Sequence, residues 1–131
     1  MPEPAAATGA VPQRLCPSAE LAERGRAVLF DVLHFREPAR AFALRFDGRV
    51  VAYLNRCVHV PTELDWQPGD FLDGAKAFIV CAIHGATYQP ESGRCVGGPC
   101  GKGRLTPIET FEREGDVWWQ PTRDTAPAFP D

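Results

Sequence analysis

Apolar and polar residues alternate with a period of two along short stretches of this chain, the pattern of strands with one buried face. Residues 27–35 are a β-branched and aromatic run, and within residues 40–46 Phe42, Leu44 and Phe46 share one face. Residues 49–54 follow across Asp47-Gly48, a strong two-residue hairpin signal. Further on, residues 77–80 predict an apolar strand, residues 87–89 a short one, and residues 90–93 a turn. Residues 105–112 and 116–120 predict a closing hairpin across Glu114-Gly115, with Trp118 and Trp119 on opposite faces, one in the core and one in edge packing. Residues 18–24 predict no more than one helical turn, capped by Ser18. The fold class is therefore all-β, built of small stacked antiparallel sheets. Residues 1–14, rich in Ala and Pro, are expected to be disordered, and so is the tail 121–131, where Pro121, Pro127 and Pro130 cannot donate to a ladder. The folded domain is expected over residues 15–120.

Length changes the picture by exclusion. At 131 residues the chain is one domain with its own core, too small to add a second catalytic domain. Its 14 basic and 17 acidic residues give a net charge of −3 without a run of either sign, so there is no footprint for nucleic acid or an anionic membrane. The first 13 residues lack a basic start and an apolar h-region, and no apolar stretch approaches about 18 residues. The expectation is a cytoplasmic protein whose partners are other proteins.

The candidate chemistry lies in two short motifs, Cys57-Val58-His59 and Cys81-Ala82-Ile83-His84, separated by a 21-residue spacer between His59 and Cys81. Two thiolates and two imidazoles make a normal tetrahedral zinc set, and ligand type alone does not choose the metal. Zinc fingers commonly pair two close cysteines with two close histidines, whereas here each motif mixes one of each. The leftover candidates are Cys16, Cys95, Cys100 and His34. His34 lies in a predicted strand and reads as a packed or surface histidine. With only that histidine to spare, no two-histidine, one-carboxylate iron site can be built.

The order continues in a telling way: Gly85 after His84, then Ala86-Thr87-Tyr88, Ser92-Gly93-Arg94 and Gly97-Gly98-Pro99. Together with the two motifs, this resembles the ligand loops, hairpin and proline loop of the Rieske family. Residues 15–17 and 25–28 are similar to the entry into the first strand of small Rieske ferredoxins, so the likeness covers most of residues 15–120. The spacer is a few residues longer than in many of them, and Gly69-Asp70 and Asp73-Gly74 are turn signals that absorb the difference.

The resemblance implies a Rieske-like fold with two cluster-binding loops and one [2Fe–2S] cluster per chain. Cys57 and Cys81 would hold one iron and His59 and His84 the other, and neutral imidazoles in place of thiolates raise the potential. It implies a soluble Rieske-type ferredoxin, a one-electron carrier from a ferredoxin reductase to a terminal oxygenase and not a catalyst by itself. The alternatives are a small Rieske subunit of a fixed redox complex, such as assimilatory nitrite reductase, or a zinc-binding β module. Docking would use an apolar rim of Val60, Pro61 and Ile83, with Gly98 and Pro99 shielding the cluster. In high-potential relatives a Ser and a Tyr donate to the cluster sulfurs. The matching positions are Ala86, which has no donor, and Tyr88, which has one, and this implies a potential in the low half of the Rieske range. The loop-bridging disulfide of respiratory Rieske proteins would need cysteines at Thr62 and Ile83. Cys95 and Cys100, in C-x4-C spacing around the proline loop, are expected to be small buried thiols in a reducing compartment.

Overall fold

A computed structural model describes residues 11–58, 62–65, 67–83 and 85–128. Among them the chain forms β1 (Gln13–Pro17), β2 (Val28–His34), β3 (Glu37–Phe46), β4 (Arg49–Leu54), β5 (Ile79–Val80), β6 (Thr87–Tyr88), β7 (Cys95–Gly97), β8 (Thr110–Arg113), β9 (Asp116–Trp119) and β10 (Thr125–Pro127). Three antiparallel sheets result, with orders β1-β9-β8, β10-β2-β3-β4 and β5-β6-β7. The chain is all-β, and no helix among the described residues is long and apolar enough to cross a membrane.

Strand β3 explains the layering. Its period-two pattern sends Phe42, Leu44 and Phe46 into a core shared with Leu64, Phe71, Ile79 and Tyr88, below the loops that carry the cysteine motifs. Phe42 stacks on Phe71 with ring centroids 3.8 Å apart. The opposite face buries the small side chains of Ala41 and Ala43, and there Val117 and Trp119 of the β1-β9-β8 sheet pack into a second core with Val32 and Ala52. Each of these large apolar side chains stabilises the fold by about 1.5–3 kcal/mol relative to its exposed state.

The hairpins at Asp47-Gly48 and Glu114-Gly115 form as the sequence predicts, with both central residues of each at positive φ. A third turn carries no such signal. Phe35 (φ 50°) and Arg36 (φ 68°) join β2 to β3, so β3 starts at Glu37, ahead of the predicted Arg40. Residues 105–109, expected as strand, are tied to β4 instead: Leu54 N–H donates to the Thr106 carbonyl and Ile108 N–H to that of Ala52. The predicted turn after Pro17 is a 3-10 turn, Ser18–Glu20, whose N-cap is Pro17 rather than Ser18.

Both ends of the described chain depart from the expected disorder. Gln13 and Arg14 belong to β1, paired with Trp119 and Trp118. Within the tail, β10 pairs with β2 in the register Thr125↔His34, Ala126↔Leu33 and Pro127↔Val32. It is an edge strand, the one place where a proline's missing donor costs little. Buried Thr125 anchors it, with Oγ1 2.9 Å from His34 Nδ1. Trp119 is core and Trp118 packs at the edge, its ring parallel to Phe111 and capped by Arg113.

Candidate metal centre

Each cysteine motif opens a six-residue loop closed in the same way. Cys57 N–H donates to the Thr62 carbonyl at 2.8 Å, and Cys81 N–H to the Ala86 carbonyl at 2.8 Å. The first loop leaves β4 and the second leaves β5, so each cysteine is delivered by a strand whose other end is fixed in a sheet. Both cysteines are buried in the same core, and Ala82 N–H reaches across to the Leu64 carbonyl, locking the second loop to the chain after the first. Asn55, two residues before Cys57, is also buried. Its side-chain oxygen accepts from Leu64 N–H at 2.7 Å, and its Nδ2 donates to Asp65, whose carboxylate accepts from Gly69 N–H. The spacer is thereby pinned beneath the first loop, and its extra length turns at Gly69 (φ +85°) and at Asp73, whose carboxylate accepts from Ala77 and Phe78 N–H.

Tyr88 lies between the loops, fully buried. Its oxygen accepts from Val58 N–H at 3.1 Å and stands 3.5 Å from Cys57 Sγ, placed to donate its proton to that sulfur when the cysteine is a thiolate, which can only accept. Burial, reinforced by the bond with Cys57, pushes its phenol far above the ordinary tyrosine range, so it remains a donor. Ala86, also fully buried, offers no hydroxyl at its position.

A third loop, after β7, closes over the other two. Gly98 (φ +79°) lies so close that a Cβ there would stand 2.7 Å from the Gly85 carbonyl and 2.9 Å from Ala86 Cα. A Cβ on Gly103 would collide with the Val58 side chain. Cys95 N–H donates to the Gly103 carbonyl, closing the base of this loop. Contrary to the expectation of free thiols, Cys95 and Cys100 are joined in a disulfide. The close backbone turn brings their Cα atoms to 5.8 Å, within normal bridging distance. Exposed around these loops are Val58, Ile83, Val96, Gly98 and Pro99. His59, Val60, Pro61, Trp66 and His84 lie outside the described residues. Among the described residues no three His, Cys, Asp or Glu side chains converge on one point.

Residues 11–112 match the family profile of the Rieske [2Fe-2S] domain. The chain belongs to that family. The cofactor of a Rieske domain is a [2Fe–2S] cluster, and the donor set fits one: two buried cysteines at the mouths of matched loops, with a hydroxyl 3.5 Å from one sulfur and a histidine two or three residues after each cysteine. The Rieske fold recurs among solved structures. The ferredoxin of carbazole 1,9a-dioxygenase from Nocardioides aromaticivorans IC177 is 19% identical with a TM-score of 0.68, over 86% of this chain and 100% of that one. The terminal oxygenase of carbazole 1,9a-dioxygenase from Novosphingobium sp. KA1 is 24% identical with a TM-score of 0.63, over 86% of this chain and 31% of that one. A chain of a carbazole-bound oxygenase and ferredoxin complex is 21% identical with a TM-score of 0.66, over 82% of this chain, and this chain spans 27% of its length. No curated protein matches the chain by sequence.

The packing partners Asn55, Asp65 and Gly103 escaped the sequence reading, as did the disulfide. The first three carry no motif, and only their contacts reveal them.

Proposed function

We propose that this chain is a Rieske-type ferredoxin of the cytoplasm, taking one electron from a ferredoxin reductase and delivering it to a terminal oxygenase. The observation that carries the reading is the paired loop architecture: two six-residue loops opening on buried cysteines, with the Tyr88 hydroxyl 3.5 Å from one of the sulfurs. In this reading Cys57, His59, Cys81 and His84 hold the cluster, which supplies reversible one-electron chemistry. The strands hold the loops still, so little rearrangement accompanies a change of charge. Tyr88 stabilises added negative charge on the Cys57 side, while Ala86 leaves one donor position empty. Gly98 and Pro99 keep water from the sulfurs. In this reading exposed Ile83 offers an apolar contact on which a partner docks briefly and leaves, and the apolar residues Val60 and Pro61 are assigned the same role from the sequence. A carbazole dioxygenase ferredoxin shares this fold along its whole length, which supports the carrier reading.

The test is a reductive titration followed by reoxidation. The anaerobically purified protein should take up one electron per chain from dithionite, lose part of its visible absorption, and return that electron to an oxidised Rieske oxygenase. A protein that takes up no electron, or that holds stoichiometric zinc, overturns the proposal.

A further inference from the structure

Beside the first loop lies a pocket of about 270 Å3 lined by His34, Arg56, Arg104 and Thr106 together with Cys57 and Val58. Among the described residues no carboxylate lines it. Five guanidinium groups elsewhere are neutralised: Arg14, Arg24, Arg26, Arg40 and Arg45 each have an Asp or Glu oxygen within 3.6 Å. Arg104 instead donates to the Ser92 carbonyl, and Arg56 has no carboxylate partner among the described residues. Asp124 acts on His34 but stands outside the lining, and burial, followed by nearby Arg56, pushes the pKa of that imidazole down. A chain of net charge −3 thus places, next to a candidate cluster ligand, two guanidinium groups that make no salt bridge among the described residues.

We propose that this pocket receives a carboxylate side chain of the redox partner, so that the partner's docking face is acidic where it meets the first loop. The inference rests on the electron-carrier reading and adds the chemistry of the partner. Guanidinium groups bind carboxylates through paired N–H donors, and Thr106 adds a hydroxyl. Exposed Val58, and Ile83 on the second loop, supply an apolar rim. Attraction at the port raises the encounter rate while leaving the complex short-lived, which suits a carrier.

Two probes of known charge test this without the partner. When the reduced protein passes one electron to ferricyanide, the products are ferrocyanide and oxidised protein, and stopped flow reads the rate. That rate should fall on the order of tenfold as ionic strength rises from about 10 to about 200 mM, while oxidation by hexaammineruthenium(III) speeds up. The double variant Arg56→Ala, Arg104→Ala should lose most of the ferricyanide salt dependence. Hexacyanocobaltate(III), a redox-inert trianion, should shift the amide signals of Arg56, Val58 and Thr106 in an NMR titration, with or without a loaded cluster. Failure of the carrier reading therefore shows as a colourless protein whose pocket still binds the trianion. Ferricyanide oxidation that accelerates with salt, as the net charge alone dictates, or trianion shifts confined to other surfaces, overturns the proposal.

Discussion

Replacing Tyr88 by Phe keeps the buried ring and removes one oxygen, whose two contacts set the expected effect. The first is with Cys57 Sγ at 3.5 Å. A net hydrogen bond contributes about 1 kcal/mol, and here it favours the reduced state, in which the sulfurs carry more negative charge. For a one-electron couple about 1.4 kcal/mol corresponds to ~59 mV, so the midpoint potential should drop by a few tens of millivolts and by no more than ~40 mV. The second contact is with Val58 N–H at 3.1 Å. That N–H points at the buried Tyr88 oxygen, so the stability loss should fall within the ~1–3 kcal/mol cost of an orphaned donor. Because burial holds the phenol protonated well into alkaline solution, the drop in potential should be the same from acid to mildly alkaline pH. Protein-film voltammetry measures it. An unchanged potential in a variant with intact visible and EPR spectra would refute a Tyr88 hydrogen bond to a ligand sulfur.

Other perturbations read different parts of the structure. Gly98→Ala places a Cβ 2.7 Å from the Gly85 carbonyl at a positive φ, and chemical denaturation should show a loss of ~2 kcal/mol or more with faster bleaching of the cluster in air. Opening the disulfide with Cys95→Ser, Cys100→Ser releases a loop of sequence separation 5, for which chain entropy predicts a loss of about 2 kcal/mol, read as a lower denaturation midpoint at unchanged slope. Glu112 is held below the ordinary carboxylate range, chiefly by its hydrogen bond to Arg45. Its stabilising contribution is therefore present above about pH 4.3 and lost as pH falls through the lowered folded value, so Arg45→Met should flatten the acid limb of a stability–pH curve.

The legible parts of the fold are those in which local chemistry and tertiary structure agree. Asp47-Gly48 and Glu114-Gly115 adopt the positive φ values that their hairpins need, and the Phe42, Leu44, Phe46 face is buried as its alternation predicts. Phe35-Arg36 makes the same kind of turn with neither Gly, Asn nor Asp, so tertiary pairing of β2 with β3 overrides local preference there. Strand β10 was hidden because proline content argues against a ladder in general, while an edge position tolerates it. The two cysteine motifs were plain from spacing. Asn55 was not, since a lone polar residue at a strand end has no pattern; only its bonds to Leu64 and Asp65 show how the first loop is held. The Cys95–Cys100 bridge depends on a Cα separation that sequence spacing does not fix.

The central claim is a [2Fe–2S] cluster held by two thiolates and two imidazoles, and pulsed EPR of the reduced protein grown on 15N-labelled histidine tests it most directly. The account predicts an EPR signal coupled to two distinct imidazole nitrogens, with iron and acid-labile sulfide present in equal amounts, and loss of the signal in Cys57→Ala and Cys81→Ala. A colourless protein containing zinc, or a cluster signal free of histidine nitrogen coupling, would contradict it.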